Sequence, residues 1–140
     1  MDNTCPFCTI DKEKTRIIEK GKHTLVFLSN PRLMRGHLLV APIKHREKLS
    51  QLTKKEILEL LQMLVKYEEK ILKKLAPGCD IRQNYRPFIP QGKVKVNHLH
   101  FHLQPRSNKD AVYKKSQIKE NELFKDLAKE EIKSLVKLLK

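Results

Sequence analysis

The stretch His98-Leu99-His100-Phe101-His102-Leu103 decides how this chain is read. On a strand, successive side chains point to opposite faces. Imidazoles at period two therefore line one face, and Leu99, Phe101 and Leu103 bury on the other. Half of the 6 histidines fall in this one stretch. Any half-buried strand alternates polar and apolar residues, but lysine, threonine or glutamate would serve that purpose equally well. Clustered imidazoles suit two chemistries. One is a zinc site, bound through a neutral ring nitrogen. The other is nucleophilic or acid–base catalysis, open to imidazole near pH 7 because its pKa is about 6.5. Histidines two residues apart could also hold one another in the required tautomer.

Working outward, the triad strand is expected over Val96 to Leu103, preceded by another near Asp80 to Tyr85 and a proline-bearing loop from Arg86 to Gly92. Further upstream, Arg16 to Glu19 and Thr24 to Leu28 flank Lys20-Gly21-Lys22-His23 and read as a hairpin. Asn30-Pro31 breaks the second of these strands. Gly36 to Pro42 reads as a third strand, in which the unbroken Leu38-Leu39-Val40-Ala41 implies cover on both faces. Thr53-Lys54-Lys55-Glu56 is a capping box that opens a long helix. Its apolar stripe is read as Ile57, Leu60, Leu61, Leu64, Val65, Leu72 and Leu75, and Ala76-Pro77-Gly78 ends it. Leu127 to Leu139 predicts a second amphipathic helix, capped by Asp126. The pattern is α+β: a mostly antiparallel sheet with one long helix packed on it and a C-terminal helical extension.

The 140 residues fit a single domain, here residues 1–106, followed by an extension over 107–140. With 39% hydrophobic and 33% charged residues, the chain can bury a core. Neither a secretory leader nor an apolar run of about 20 residues is evident, so a cytoplasmic protein without membrane association is expected. Lys plus Arg number 30 against 16 acids, a net charge of +14 that attracts polyanions such as nucleotides or nucleic acid. Many of these lysines also suit a solvated surface.

Of the 3 cysteines, two sit in Cys5-Pro6-Phe7-Cys8. In a reducing compartment this spacing reads as metal-binding or redox-active, and the absence of a preceding strand favours metal. Cys79, after the helix-ending Pro77-Gly78, reads as a small buried side chain.

Taken together, three segments resemble the HIT (histidine triad) superfamily of nucleotide hydrolases and transferases. The triad stretch resembles His-φ-His-φ-His-φ-φ, where φ is apolar. Gly36-His37-Leu38-Leu39-Val40-Ala41-Pro42-Ile43-Lys44-His45 resembles G-H-x-x-V-x-P-x-x-H, and Cys5-Pro6-Phe7-Cys8 resembles the C-x-F-C opening of zinc-bearing members. The resemblance implies that His100 attacks the α-phosphorus of a nucleotide and forms a nucleotidyl–imidazole intermediate. By the same resemblance, His102 and His37 line the phosphate site and Asn30 falls at the ribose. Cys5, Cys8, His45 and His98 would form a structural Cys₂His₂ zinc site. That ligand set competes with a catalytic part for His98 as acid to the leaving group.

The sequence departs from the pattern in Gln91-Gly92-Lys93-Val94-Lys95-Val96-Asn97, where lysines replace a hydroxyl-bearing stretch. Lys93 and Lys95 are thus substrate-binding candidates, and Gln83 or Asn84 could orient the nucleophile. The basic run Arg82 to Pro87 suits an anionic leaving group better than a neutral amine. Gln104 stands where an apolar residue is usual, and the segment after Arg106 has no counterpart in the pattern. The function expected is cleavage of a phosphoanhydride, as in a dinucleoside polyphosphate, or of a phosphoramidate, by a homodimer. The alternatives are a zinc-containing nucleic-acid-binding module, or an enzyme acting on adenylated or capped nucleic-acid ends.

Overall fold

The computed structural model describes residues 4–140, apart from the side chains at 117 and 118; residues 1–3 of the expected domain lie outside it. Five strands make one sheet: β1 (Ile17–Lys20), β2 (Thr24–Leu28), β3 (Leu38–Pro42), β4 (Gly78–Gln83) and β5 (Phe101–Arg106). Their order is β1-β2-β3-β5-β4, and each neighbouring pair is antiparallel. The α-helices among the described residues are α1 (Lys54–Lys74), α2 (Ile118–Glu120) and α3 (Lys129–Leu139), with 3-10 helices at Ile10–Arg16, Leu49–Gln51 and Asn121–Leu123 and a π-helix at Tyr113–Gln117. No helix is long and apolar enough to cross a membrane among the described residues.

Strand β3 is buried throughout, as its unbroken apolar run implies. Leu38 and Val40 pack with Val26 and Leu103 against Leu60, Met63, Leu64, Tyr67 and Ile71 of α1. Leu39 and Ala41 face the other way and pack with Leu25 and Phe27 under Cys5, Phe7 and Ile10. The N-terminal segment therefore covers the sheet face opposite the helix. Burying these side chains on both faces contributes about 1.5–3 kcal/mol for each large one.

The capping box forms as expected: Glu56 N donates to Thr53 Oγ1 (3.2 Å), and Thr53 N donates to Glu56 Oε2 (2.8 Å). The apolar stripe of α1, however, is two stripes. Leu60 and Leu64 join the core, whereas Ile57, Leu61, Val65, Leu72 and Leu75 stay 41–58% exposed. Reading period alone merged the buried face with its neighbour one residue round the helix.

Strand β5 begins at Phe101, five residues after the expected Val96. Beyond the Val40–Phe101 pair, Pro42 has no N–H to extend the ladder, and its carbonyl accepts from His98 Nε2 (2.8 Å). Leu99 N donates instead to Arg46 O (2.5 Å). Strand β4 starts two residues earlier than expected, at Gly78, directly after the helix stop. Helix α3 begins at Lys129, and Ala128 rather than Asp126 occupies its N-cap, without a side-chain cap bond. Cys79 is half-buried, with its thiol pushed up to about 11 by burial and then by Glu68; it packs on the core and stands outside the cysteine–histidine cluster.

Candidate active site and metal centre

The backbone places His37 through Gly36, whose φ of +83° is a left-handed conformation suited to glycine. A Cβ there would stand 2.7 Å from Leu75 Cδ1. Leu33 N donates to His37 Nδ1 (3.1 Å), so the neutral ring carries its proton on Nε2. That proton goes to His102 Nδ1, 2.9 Å away. His102 must then hold its own proton on Nε2, which makes it a donor toward the cavity it lines. The family resemblance gave His37 hydrogen bonds to phosphate oxygens. Both of its ring nitrogens are engaged within the protein, Nδ1 with the Leu33 amide and Nε2 with His102.

His100 is held by the backbone rather than by a second imidazole. Its Nδ1 donates to the His98 carbonyl at 2.6 Å, which leaves the Nε2 lone pair free. The Phe7 ring meets His100 edge-on, with centroids 5.1 Å apart. Burial lowers the pKa of His100. Burial, and then the His100 charge, brings His37 down to about 4 and His102 to about 3. These shifts favour the neutral form of all three rings, the form in which an imidazole keeps a lone pair and can also donate one hydrogen bond.

His98 turns away from this cavity. Its Nε2 donates to Pro42 O, and its Nδ1 lies 3.3 Å from Cys5 Sγ and 3.6 Å from Cys8 Sγ. His45 Nδ1 lies 3.4 Å from Cys8 Sγ, and its Nε2 is 3.6 Å from Glu47 Oε1. The four donor atoms all lie within 4.8 Å of one another. Zinc bonds of about 2.3 Å to sulfur and 2.0–2.1 Å to nitrogen give tetrahedral S–N edges of about 3.5 Å, so the set fits zinc. Both imidazoles offer Nδ1 while Nε2 faces an oxygen acceptor, the usual outer-shell arrangement of metal-bound histidine. These ring orientations place His98 with the cysteines and take it out of contact with the His100 cavity.

The cavity holds about 490 Å³ and is lined by Phe7, Leu39, His100 and His102 on the sheet side, with Asn30, Arg32, Arg82, Asn84, Arg86 and Lys93 around them. That volume suits a small-molecule ligand, for which about 300–1,000 Å³ is typical. Asn30, Asn84 and Lys93 line this cavity together. Gln83 and Lys95 are not: Gln83 Nε2 donates to Asn84 O, and Lys95 bonds Asn97 Oδ1 and lines a smaller neighbouring cavity. The sequence reading assigned no site role to Phe7 or Arg32. Nor did it anticipate the buried Gln104 Oε1 without a hydrogen-bond partner. Phe7 was hidden inside the cysteine motif, and Arg32 stands in a loop without periodicity.

Site and fold together define an α+β protein with a histidine-lined ligand cavity beside a cysteine–histidine metal set. Residues 11–109 match the family model for the HIT domain. A HIT-like protein of Methanocaldococcus jannaschii, itself uncharacterized, is 36% identical over 110 residues, covering 76% of this chain and 81% of its own. The chain belongs to the HIT family.

Among solved structures, a HIT family protein from Bacillus anthracis superposes with a TM-score of 0.72 at 23% identity, covering 99% of this chain and 96% of that one. A HIT family member from Bacillus subtilis gives 0.73 at 22% identity, covering 98% and 95%. These two superpositions span nearly the whole chain, the segment after Arg106 included. A zinc-bound histidine triad family protein from Mycobacterium smegmatis gives 0.61 at 24% identity, covering 77% and 78%.

Proposed function

We propose that the protein is a nucleotide hydrolase or nucleotidyl transferase working through His100. The carrying observation is the tautomer arrangement. His100 donates through Nδ1 to a carbonyl and keeps Nε2 as a free nucleophile, while His102 is held as a donor by His37. In the first step, His100 Nε2 attacks the α-phosphorus and the bridging bond breaks, its electron pair leaving on the oxygen of a departing phosphate or, for a P–N bond, on a nitrogen that takes a proton from solvent and departs as the amine. In the second, water attacks phosphorus, the P–N bond to His100 breaks, and the water proton passes to solvent or to the released phosphate. His102 Nε2 donates to a non-bridging oxygen and stabilises the charge gathering there. Asn30 would meet the ribose, and the apolar Phe7 and Leu39 would meet the base.

Zinc, when bound by Cys5, Cys8, His45 and His98, supplies a cross-link that ties the N-terminal segment to the triad segment. This requires reduced cysteines and so fits a reducing compartment such as the cytoplasm. The domain proper would span residues 1–106, with 107–140 appended. A homodimer is supported by two features: the exposed Leu58, Leu61, Val65 and Leu72 of α1, and the open edge strand β4 with its exposed Ile81.

The test is AMP release from diadenosine tetraphosphate and from adenosine 5′-phosphoramidate by wild type and His100→Ala. Release from at least one substrate, lost in the variant, is expected. Full turnover by His100→Ala would dismiss the mechanism.

A further inference from the structure

The cavity beside His100 and His102 carries more positive charge than one phosphate calls for. Arg32, Arg82, Arg86 and Lys93 line it, and no aspartate or glutamate does. They arrive from three segments: Arg32 from the β2–β3 loop, Arg82 from β4, and Arg86 with Lys93 from the β4–β5 loop. Of the four other arginines three are paired, Arg16 with Glu13, Arg46 with Glu56, and Arg106 with Asp80 and Asp110, while Arg35 forms no salt bridge among the described residues. Among the described residues, the four cavity cations form no salt bridge. Solvated lysines and arginines usually spread over a surface and avoid one another. Here they converge on a concavity, where an anion would offset their mutual repulsion. Burial first, then the charges of His100 and His37 and last that of Arg82, disfavour protonation of His102.

Resting on the nucleotidyl-transfer reading above, we propose that Arg32, Arg82, Arg86 and Lys93 form an oligophosphate subsite that receives the group displaced by His100. When the bond from the α-phosphorus to the bridging oxygen breaks, the electron pair stays on the terminal oxygen of the departing oligophosphate. The added negative charge falls among four cations and needs no proton. An amine leaving group needs a proton instead. The cavity lining holds no carboxylic acid to give one, and His98 faces the cysteines. These four side chains therefore set specificity toward phosphoanhydrides and away from phosphoramidates.

Two measurements on the full-length protein test this. The first is calorimetric titration with inorganic tripolyphosphate and with inorganic monophosphate. Tripolyphosphate should bind at least about tenfold more tightly, with an affinity that falls as salt rises, because its contacts are exposed charges. The R82Q/R86Q double variant should lose about tenfold of that affinity, whereas K114Q/K115Q, away from the cavity, should not. The second is the ratio of kcat/KM for diadenosine tetraphosphate over adenosine 5′-phosphoramidate, which R82Q/R86Q should lower by about tenfold. The subsite is refuted if tripolyphosphate binds no better than monophosphate, if K114Q/K115Q loses as much as R82Q/R86Q, or if the ratio is unmoved while AMP release still depends on His100. Tight, cavity-dependent tripolyphosphate binding without AMP release from either substrate would support the subsite and refute the nucleotidyl-transfer reading.

Discussion

Replacing Glu56 by alanine tests how the start of α1 is coupled to the triad. The Glu56 carboxylate is 5% exposed and accepts from Thr53 N at 2.8 Å and from Arg46 Nε and Nη2 at 3.2 and 3.0 Å. Burial opposes its charge, but the Arg46 guanidinium and Thr53 outweigh that and keep its pKa below the usual carboxylate range. Losing the capping contact costs about 1 kcal/mol. Losing charge-assisted bonds to a partly buried arginine costs about 1.5–3 kcal/mol. The expected loss is about 3 kcal/mol, or a fall in Tm of about 10 °C for a chain of this length.

The same arginine holds Leu99 N–H through its carbonyl, so the triad segment loosens with it. Thermal melts followed by circular dichroism read the effect directly. Glu56→Gln, which keeps an acceptor for Thr53 N, should lose about half as much. A double-mutant cycle with Arg46→Ala should give a coupling of at least about 1 kcal/mol. A Glu56→Ala melt within about 2 °C of wild type would refute the reasoning.

The remaining expectations concern the histidines, the metal set and the oligomer. His37→Asn keeps an acceptor near Leu33 N but does not reach His102; kcat for AMP release should drop about tenfold with KM changing less, since orientation worth about one hydrogen bond is lost. His37 at about 4 and His102 at about 3 lie below the unfolded value, so between pH 6.5 and 4 the unfolded chain binds more protons. Stability should accordingly rise with pH across that window and level off above it; urea midpoints measured from pH 4.5 to 7.5 check this, and a flat profile would contradict it. Metal analysis should find about one zinc per chain, and Cys8→Ser should lower both zinc content and Tm, because a four-donor set is broken. Leu61→Glu on the open face of α1 should shift the mass by light scattering from dimer to monomer, with the Tm of the monomer still cooperative.

Much of this architecture was legible because single residues dictate local geometry. Thr53 and Glu56 mark the helix start through their reciprocal bonds to the backbone, and the unbroken Leu38–Ala41 run marks a strand covered on both faces. The four metal donors share one cluster although 93 positions separate Cys5 from His98. What stayed hidden depends on contacts between distant segments. The β3–β5 ladder stops after Val40–Phe101, where Pro42 has no N–H to offer and its carbonyl meets the His98 imidazole, a contact that no periodicity encodes. Leu60 and Leu61 are chemically alike, and only the sheet packed against α1 distinguishes the buried one from the exposed one. The tautomer of His37 follows from the Leu33 amide, a backbone group that composition does not reveal.

The central claim is that His100 Nε2 forms a covalent bond to the α-phosphorus. Rapid acid-free quenching of wild type with diadenosine tetraphosphate, followed by peptide mass analysis, tests it most directly. The account predicts an adenylate adduct on the peptide carrying His100, formed and consumed at the rate of turnover and missing in His100→Ala. Steady AMP release with no adduct on that histidine at any time point would contradict it.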